Sequence, residues 1–180
     1  MKDSPVPDLF GKISDESTAL GKLAGKIPGF DGYIERSRRR EADQLLRQTI
    51  ASRIEAIRVQ LGGVHQELSR DILLAMEYAE PLGEVDTRLM GLAGKVKDAP
   101  QGYAGFFDAV KIKEEDLARV YAFDAGMMDF VDQLAAEADA LNAAVIDGGD
   151  IGAAIRTMSG TAREANANFN TRTEVLMGIG

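Results

Sequence analysis

The chain has no cysteine, no tryptophan, a single histidine and only five prolines, and nowhere does it carry a long uncharged apolar run. Lack of cysteine excludes a disulfide framework, a thiolate zinc site and a cysteine nucleophile, and it suits a reducing compartment. No apolar run approaches the ~18 residues of a spanning helix. The opening MKDSPVPDLFGK lacks the apolar centre of a signal peptide. A cytoplasmic location is expected, with a peripheral position on the inner face of the membrane as the alternative. The lone histidine, His65 in Gly-Gly-Val-His, decides against two chemistries. A di-iron bundle needs two Glu-x-x-His motifs, and a hydrolytic triad needs a base beside a nucleophile. His65 reads as an ordinary helix-surface residue. No catalytic residue, metal ligand or cofactor site is expected, no small-molecule substrate is implied, and the chain is not read as an enzyme.

What is present is a 180-residue chain, enough for one domain with a real core. Its 45% hydrophobic and 28% charged residues place it with globular proteins rather than disordered or membrane ones. The net charge of −8 opposes generic binding to nucleic acid, which depends on neutralising phosphates. The charge is also lopsided. Tyr103 to Asp150 holds three basic and eleven acidic residues, whereas Glu35 to Arg58 holds seven arginines and four acids. The two segments are electrostatic opposites.

Along the chain, residues 1–11 read as a loose arm, followed by a short amphipathic helix over Asp15 to Lys26 with Leu20, Leu23, Ala24 and Ile27 on one face. That helix either lies over one end of the fold or docks on a membrane or partner. Residues 1–30 are set apart on this reading, with a helical domain over 31–180. A long helix is expected from about Asp31 to Tyr33, carrying Leu46, Ile50, Ile54, Ile57, Leu61, Val64 and Leu68 at heptad spacing through Gly62-Gly63. It ends between Ser69 and Glu80, and Pro81 kinks it or opens the next helix. The next covers Pro81 to Lys97 with Leu82, Val85, Leu89, Leu92 or Ala93, and Val96 inward. A third opens near Lys113 and keeps a 3/4 rhythm from Leu117 to Val145. The glycines of Asp147-Gly148-Gly149-Asp150 break it, with Asp150 capping a last helix that uses Ile151, Ile155, Met158, Ala162, Ala165, Phe169 and Leu176. No alternating strand pattern of useful length occurs. The fold class is all-α, an elongated antiparallel bundle of about four long helices with a short N-terminal helix.

Three places invite a functional reading. Gln101 to Ile112 holds Tyr103, Phe106, Phe107 and Asp108 between helices, either as a hydrophobic plug or as an aromatic interaction patch with an acidic rim. Arg36, Arg38, Arg39 and Arg40 cluster near a helix start. They pair locally with Glu35, Glu41 and Asp43, or pair with the acidic third helix within or between subunits, or hold an anionic partner such as a lipid head group. Asp124 falls on the apolar stripe between Tyr121 and Met128, where a carboxylate needs a partner. An arginine or a tyrosine hydroxyl from another helix is expected, and Asp124 joins the candidate interaction residues. Asp129 and Asp132 are assigned to a solvated face.

KIPGFDGYIERSRRREADQLLR and GYAGFFDAVKIKEEDLARVYAFD, about a quarter of the chain, resemble an uncharacterised family of helical bacterial proteins. The resemblance implies an all-helical protein without assigned chemistry, associated with band-7 (SPFH) type membrane-scaffold proteins. From the residues themselves, the expected function is a non-enzymatic scaffold or interaction protein acting by protein–protein contact as a homo-oligomer. The alternative is a peripheral membrane adaptor using the N-terminal amphipathic segment and the arginine cluster.

Overall fold

The computed structural model describes residues 17–98 and 113–178. Five helices, α1 Ser17–Lys26, α2 Arg39–Leu68, α3 Ile72–Asp98, α4 Glu114–Asp147 and α5 Ile151–Gly178, pack against one another, and no strand occurs among the described residues. A single turn of 3₁₀ helix, Arg36–Arg38, precedes α2.

The apolar stripes explain the packing. Every stripe residue named on α2 and α3 is buried, including both Leu92 and Ala93, and those of α4 and α5 are buried except Val145, which is partly covered. Gly62 and Gly63 do not interrupt α2, because a stripe that keeps its phase outweighs the roughly 1 kcal/mol that each glycine costs. Gly148 ends α4 in the left-handed region at φ 75°, and the Gly149 amide donates to the Ala144 carbonyl at 2.8 Å. Asp150 then caps α5 by accepting the Ala153 amide at 2.7 Å.

Two helix starts differ from the sequence expectation. α2 begins at Arg39, not at Asp31 to Tyr33, because residues 27–35 form a turn that delivers Phe30 and Tyr33 to the core. Gly32 makes this turn possible. It sits at φ 82°, and a Cβ there would lie 2.5 Å from the Tyr121 hydroxyl. α3 begins at Ile72, nine residues before Pro81. Asp71 caps it by accepting the Leu73 amide at 2.8 Å. Pro81 is tolerated inside α3 because it and Glu77, whose carbonyl loses its donor, both lie on an exposed face where water can replace the bond.

The four long helices form two hairpins. In the first, Arg58 grips Asp86 and Arg47 reaches the Lys97 carbonyl, so α2 and α3 run antiparallel. In the second, Thr161 donates to Glu137 and Arg172 to Asp124, so α4 and α5 do the same. Between hairpins the sense changes. Arg53 meets Asp132 and Gln60 meets Asp139, which makes α2 and α4 parallel neighbours. Arg88 meets Ser159 and Lys95 meets Asn166, which makes α3 and α5 parallel. α3 and α4 lie on a diagonal. Antiparallel order therefore holds within each hairpin and not across the pair. α1 lies on α4, and Leu23, Ile27 and Phe30 belong to the same apolar cluster as the long helices.

Gly63 is exposed, and a Cβ built on it meets nothing within 4 Å. Gly63→Ala should raise unfolding free energy by about 0.8–1 kcal/mol in urea titration; a loss of stability would show that this turn of α2 needs its glycine.

Candidate functional site

The most unusual chemistry lies where the chain has no access to water. Arg172 on α5 is 1% exposed, Asp43 on α2 is 2% exposed, and Asp124 on α4 and Tyr33 are fully buried. The Arg172 Nε donates to Asp124 Oδ1, and its Nη2 donates to Asp43 Oδ1 at 2.8 Å. The Tyr33 hydroxyl donates to Asp124 Oδ2 at 2.6 Å. Arg47 closes the set by donating to Asp43 Oδ2 at 2.7 Å, so two arginines balance two aspartates. Tyr33 is itself held. Its amide donates to the Tyr121 hydroxyl at 2.7 Å, its ring stacks on Tyr121 at 5.3 Å, and its carbonyl accepts Arg39 Nε at 2.6 Å.

Burial sets the titration of these groups. It pushes Asp124 above the usual carboxylate range, against the pull of Arg172 and Tyr33. Burial also drives Tyr33 well above an ordinary phenol, assisted by the Asp124 charge, and lifts Tyr121 to about 12. Desolvation opposes the charge on Arg172, but Asp124 and its other neighbours outweigh it and raise the group well above its ordinary value. The cluster is a closed ion-pair lock that ties α2, α4, α5 and the 27–33 turn together. The carboxylate oxygens, the Tyr33 hydroxyl and the Nε and Nη2 of Arg172 are turned on one another rather than toward a substrate.

This geometry supplies the arginine and the tyrosine hydroxyl expected for Asp124. It also removes Asp124 from the candidate interaction surface, because a fully buried carboxylate meets no partner protein. Arg172 and Asp43 were missed as members of the site. Arg172 lies midway in the seven-residue step from Phe169 to Leu176, at the phase of the apolar stripe. That was the available signal.

The arginine cluster is divided rather than assembled. Arg38 pairs with Asp31 at 2.6 Å, while Arg36 and Arg40 are exposed. Arg39 is buried on the Tyr33 carbonyl, and burial with the nearby Arg36 charge lowers its pKa. The cations that meet acidic α4 are others. Lys22 and Lys26 pair with Asp129 at 3.3 and 2.8 Å, and Lys26 and Arg53 pair with Asp132. Asp129 and Asp132 are thus tied to α1 and α2, not merely solvated. The Lys26 hydrogen bond holds Asp129 below the usual carboxylate range. At Asp132 burial acts upward, and Lys26 and Arg53 outweigh it. Tyr103, Phe106, Phe107 and Asp108 lie outside the described residues.

The amphipathic α1 has no spare apolar stripe, since Leu23 and Ile27 are fully buried against the bundle. The outer face of the α2–α3 hairpin differs. Val59, Ile72, Leu73, Met76 and Met90 are 50–80% exposed, and among the described residues the only other large hydrophobic so exposed is Ile146 on α4. Two shallow recesses run between α2 and α3, one of about 400 Å³ beside Val59, His65 and Gly83, the other of about 640 Å³ beside Ala51, Met90 and Gly94. His65 is exposed on the rim of the first. Among the described residues no group of His, Cys, Asp or Glu is placed to hold a metal ion, and no helix is long and apolar enough to cross a membrane.

Removing the guanidinium with Arg172→Met leaves two buried carboxylates facing each other, and stability should fall by about 3–5 kcal/mol. A urea midpoint within error of the parent would contradict the lock. Asp129 and Asp132 give a pH effect of defined sign. Their folded pKa values are lowered, so their stabilisation is present above the ordinary value of about 3.9 and is lost as pH falls through the folded values. Asp129→Asn/Asp132→Asn should therefore lose less stability between pH 5 and 3 than the parent, read from thermal melts across that range. All these assignments rest on the molecule's own geometry, as no family model, curated protein or solved structure matches the chain.

Proposed function

We propose that this protein is a non-enzymatic helical scaffold that acts by protein–protein contact and associates with copies of itself. One observation carries the reading. Exposed large hydrophobic side chains concentrate on the outer face of α2–α3, whereas Lys26, Arg53, Asp129 and Asp132 are engaged with one another across helices. Contiguous exposed apolar surface is uncommon on soluble monomers and marks contact sites. Long helices with a second, outward seam offer such contacts at little conformational cost, because the backbone is already ordered before binding. The peripheral-membrane alternative draws less support, since the apolar face of α1 is spent on α4 and its lysines are paired to Asp129 and Asp132.

Light scattering on the purified chain in low and high salt tests the proposal. A mass above the 19.4 kDa of one chain is expected in both, since apolar contact is not screened by salt as surface ion pairs are. A strict monomer at every salt and protein concentration, together with no partner in a pull-down, contradicts it.

A further inference from the structure

Helix α3 carries two faces. The inward one holds Leu82, Val85, Leu89 and Val96. The outward one passes through positions 72, 76, 79, 83, 87, 90 and 94, with spacings of 4, 3, 4, 4, 3 and 4. Three features single it out. None of the seven positions is charged, although 28% of the chain is. Its large members stand in solvent, Ile72 at 75%, Met76 at 80% and Met90 at 50%. The spacing also reads the same in both directions about Gly83.

That palindrome makes the face complementary to itself. When two α3 helices cross antiparallel at Gly83, Ile72 falls opposite Gly94, Met76 opposite Met90, Ala79 opposite Thr87, and Gly83 opposite Gly83 of the other copy. Volumes match at each level: large against none, long against long, small against small. Gly83 has open space around it, as a Cβ there meets nothing within 4 Å, so another backbone can come close. The recess of about 640 Å³ bordered by Met90, Ala93 and Gly94 lies where Ile72 of the second copy arrives.

We infer that this face is the contact of a two-fold symmetric homodimer, with the axis passing beside Gly83. The inference rests on the self-association reading above and names its surface and its occupant, a second copy of this chain. An isologous contact requires the same patch on both subunits, and the register described here satisfies that without a second surface. The size is sufficient. At 1.5 Å per residue the seam is about 33 Å long, and with the α2 rim it is about 20 Å wide. Roughly 650 Å² per copy approaches the ~800 Å² each partner contributes to a standard interface. Absence of charge along the centre fits the depletion of charged residues in interface cores.

The cysteine-free chain allows a direct test, because a single introduced cysteine can pair only with a cysteine introduced in another molecule. Full-length Gly83→Cys should cross-link to a covalent dimer under mild oxidation, since helices packed 8–10 Å apart bring facing Cα atoms to about 5 Å, within disulfide reach. A mixture of Met76→Cys and Met90→Cys chains should cross-link to each other, and Ala140→Cys on the opposite hairpin should not. Gly83→Trp should weaken association at least tenfold by light scattering, with its thermal melt retained because the site is open. A monomeric parent overturns the self-association reading and this inference together. A dimeric parent that fails to link through position 83, or links through position 140, overturns this interface and leaves self-association standing.

Discussion

The Arg172 guanidinium has carboxylates on two helices and a tyrosine hydroxyl beside it, and no route to water. Everything at this end of the bundle is arranged around that constraint. A buried cation of this kind is tolerated only when paired and hydrogen-bonded, and removing one partner leaves a charge costing several kcal/mol. α2, α4 and α5 must therefore present Asp43, Asp124 and Arg172 at the same height, and the 27–33 turn must bring Tyr33 to meet them. Apolar seams alone do not impose this. Leu and Ile at heptad spacing pack nearly as well after a slip of one turn, whereas hydrogen bonds of 2.6–2.8 Å do not survive it. The lock gives register to helices whose apolar faces give only adhesion.

The consequences spread outward. With α2 and α4 parallel, Asp43 and Asp124 meeting at Arg172 share one height, in register with the pairs Arg53 with Asp132 and Gln60 with Asp139. Fixing Tyr33 requires the left-handed turn at Gly32 under the Tyr121 hydroxyl. Several arginines of the basic segment are then occupied within the molecule, one of them, Arg53, by the acidic segment. Arg47 serves Asp43, Arg58 serves Asp86, and Arg53 serves Asp132. The exposed large hydrophobic side chains concentrate on the outer side of the α2–α3 hairpin.

The helices were legible in the sequence because burial acts on each separately: a stripe of Leu and Ile at 3/4 spacing needs no knowledge of its neighbour. Asp124 was legible as an anomaly for the same reason, being a carboxylate at an apolar phase. Arg172 obeys the same logic, yet a long side chain that can snorkel to water is easily passed over on a stripe. Asp43 looked like a local partner for the arginines around it, since its buried partner lies 129 residues away and nothing in periodicity reports a pairing between helices. The start of α3 was hidden by Pro81, whose helix-breaking character is offset by an exposed position and an aspartate cap. The outer seam of α3 is hidden in the sequence because glycine, alanine and threonine on a helix read as neutral filling. Only its exposure beside a well-covered inner seam marks it as a second face.

A core locked by buried ion pairs leaves the outer face of α3 to the second copy we propose. Hydrogen exchange on the intact protein over a dilution series addresses it most directly, because local protection reports contact without altering any residue. Amides of α3 between Ile72 and Gly94 should lose protection as the protein is diluted, while those of α5 from Ile151 to Arg172 stay constant. Protection in α3 that ignores concentration, or that falls equally across all helices, would rule out a contact through this face.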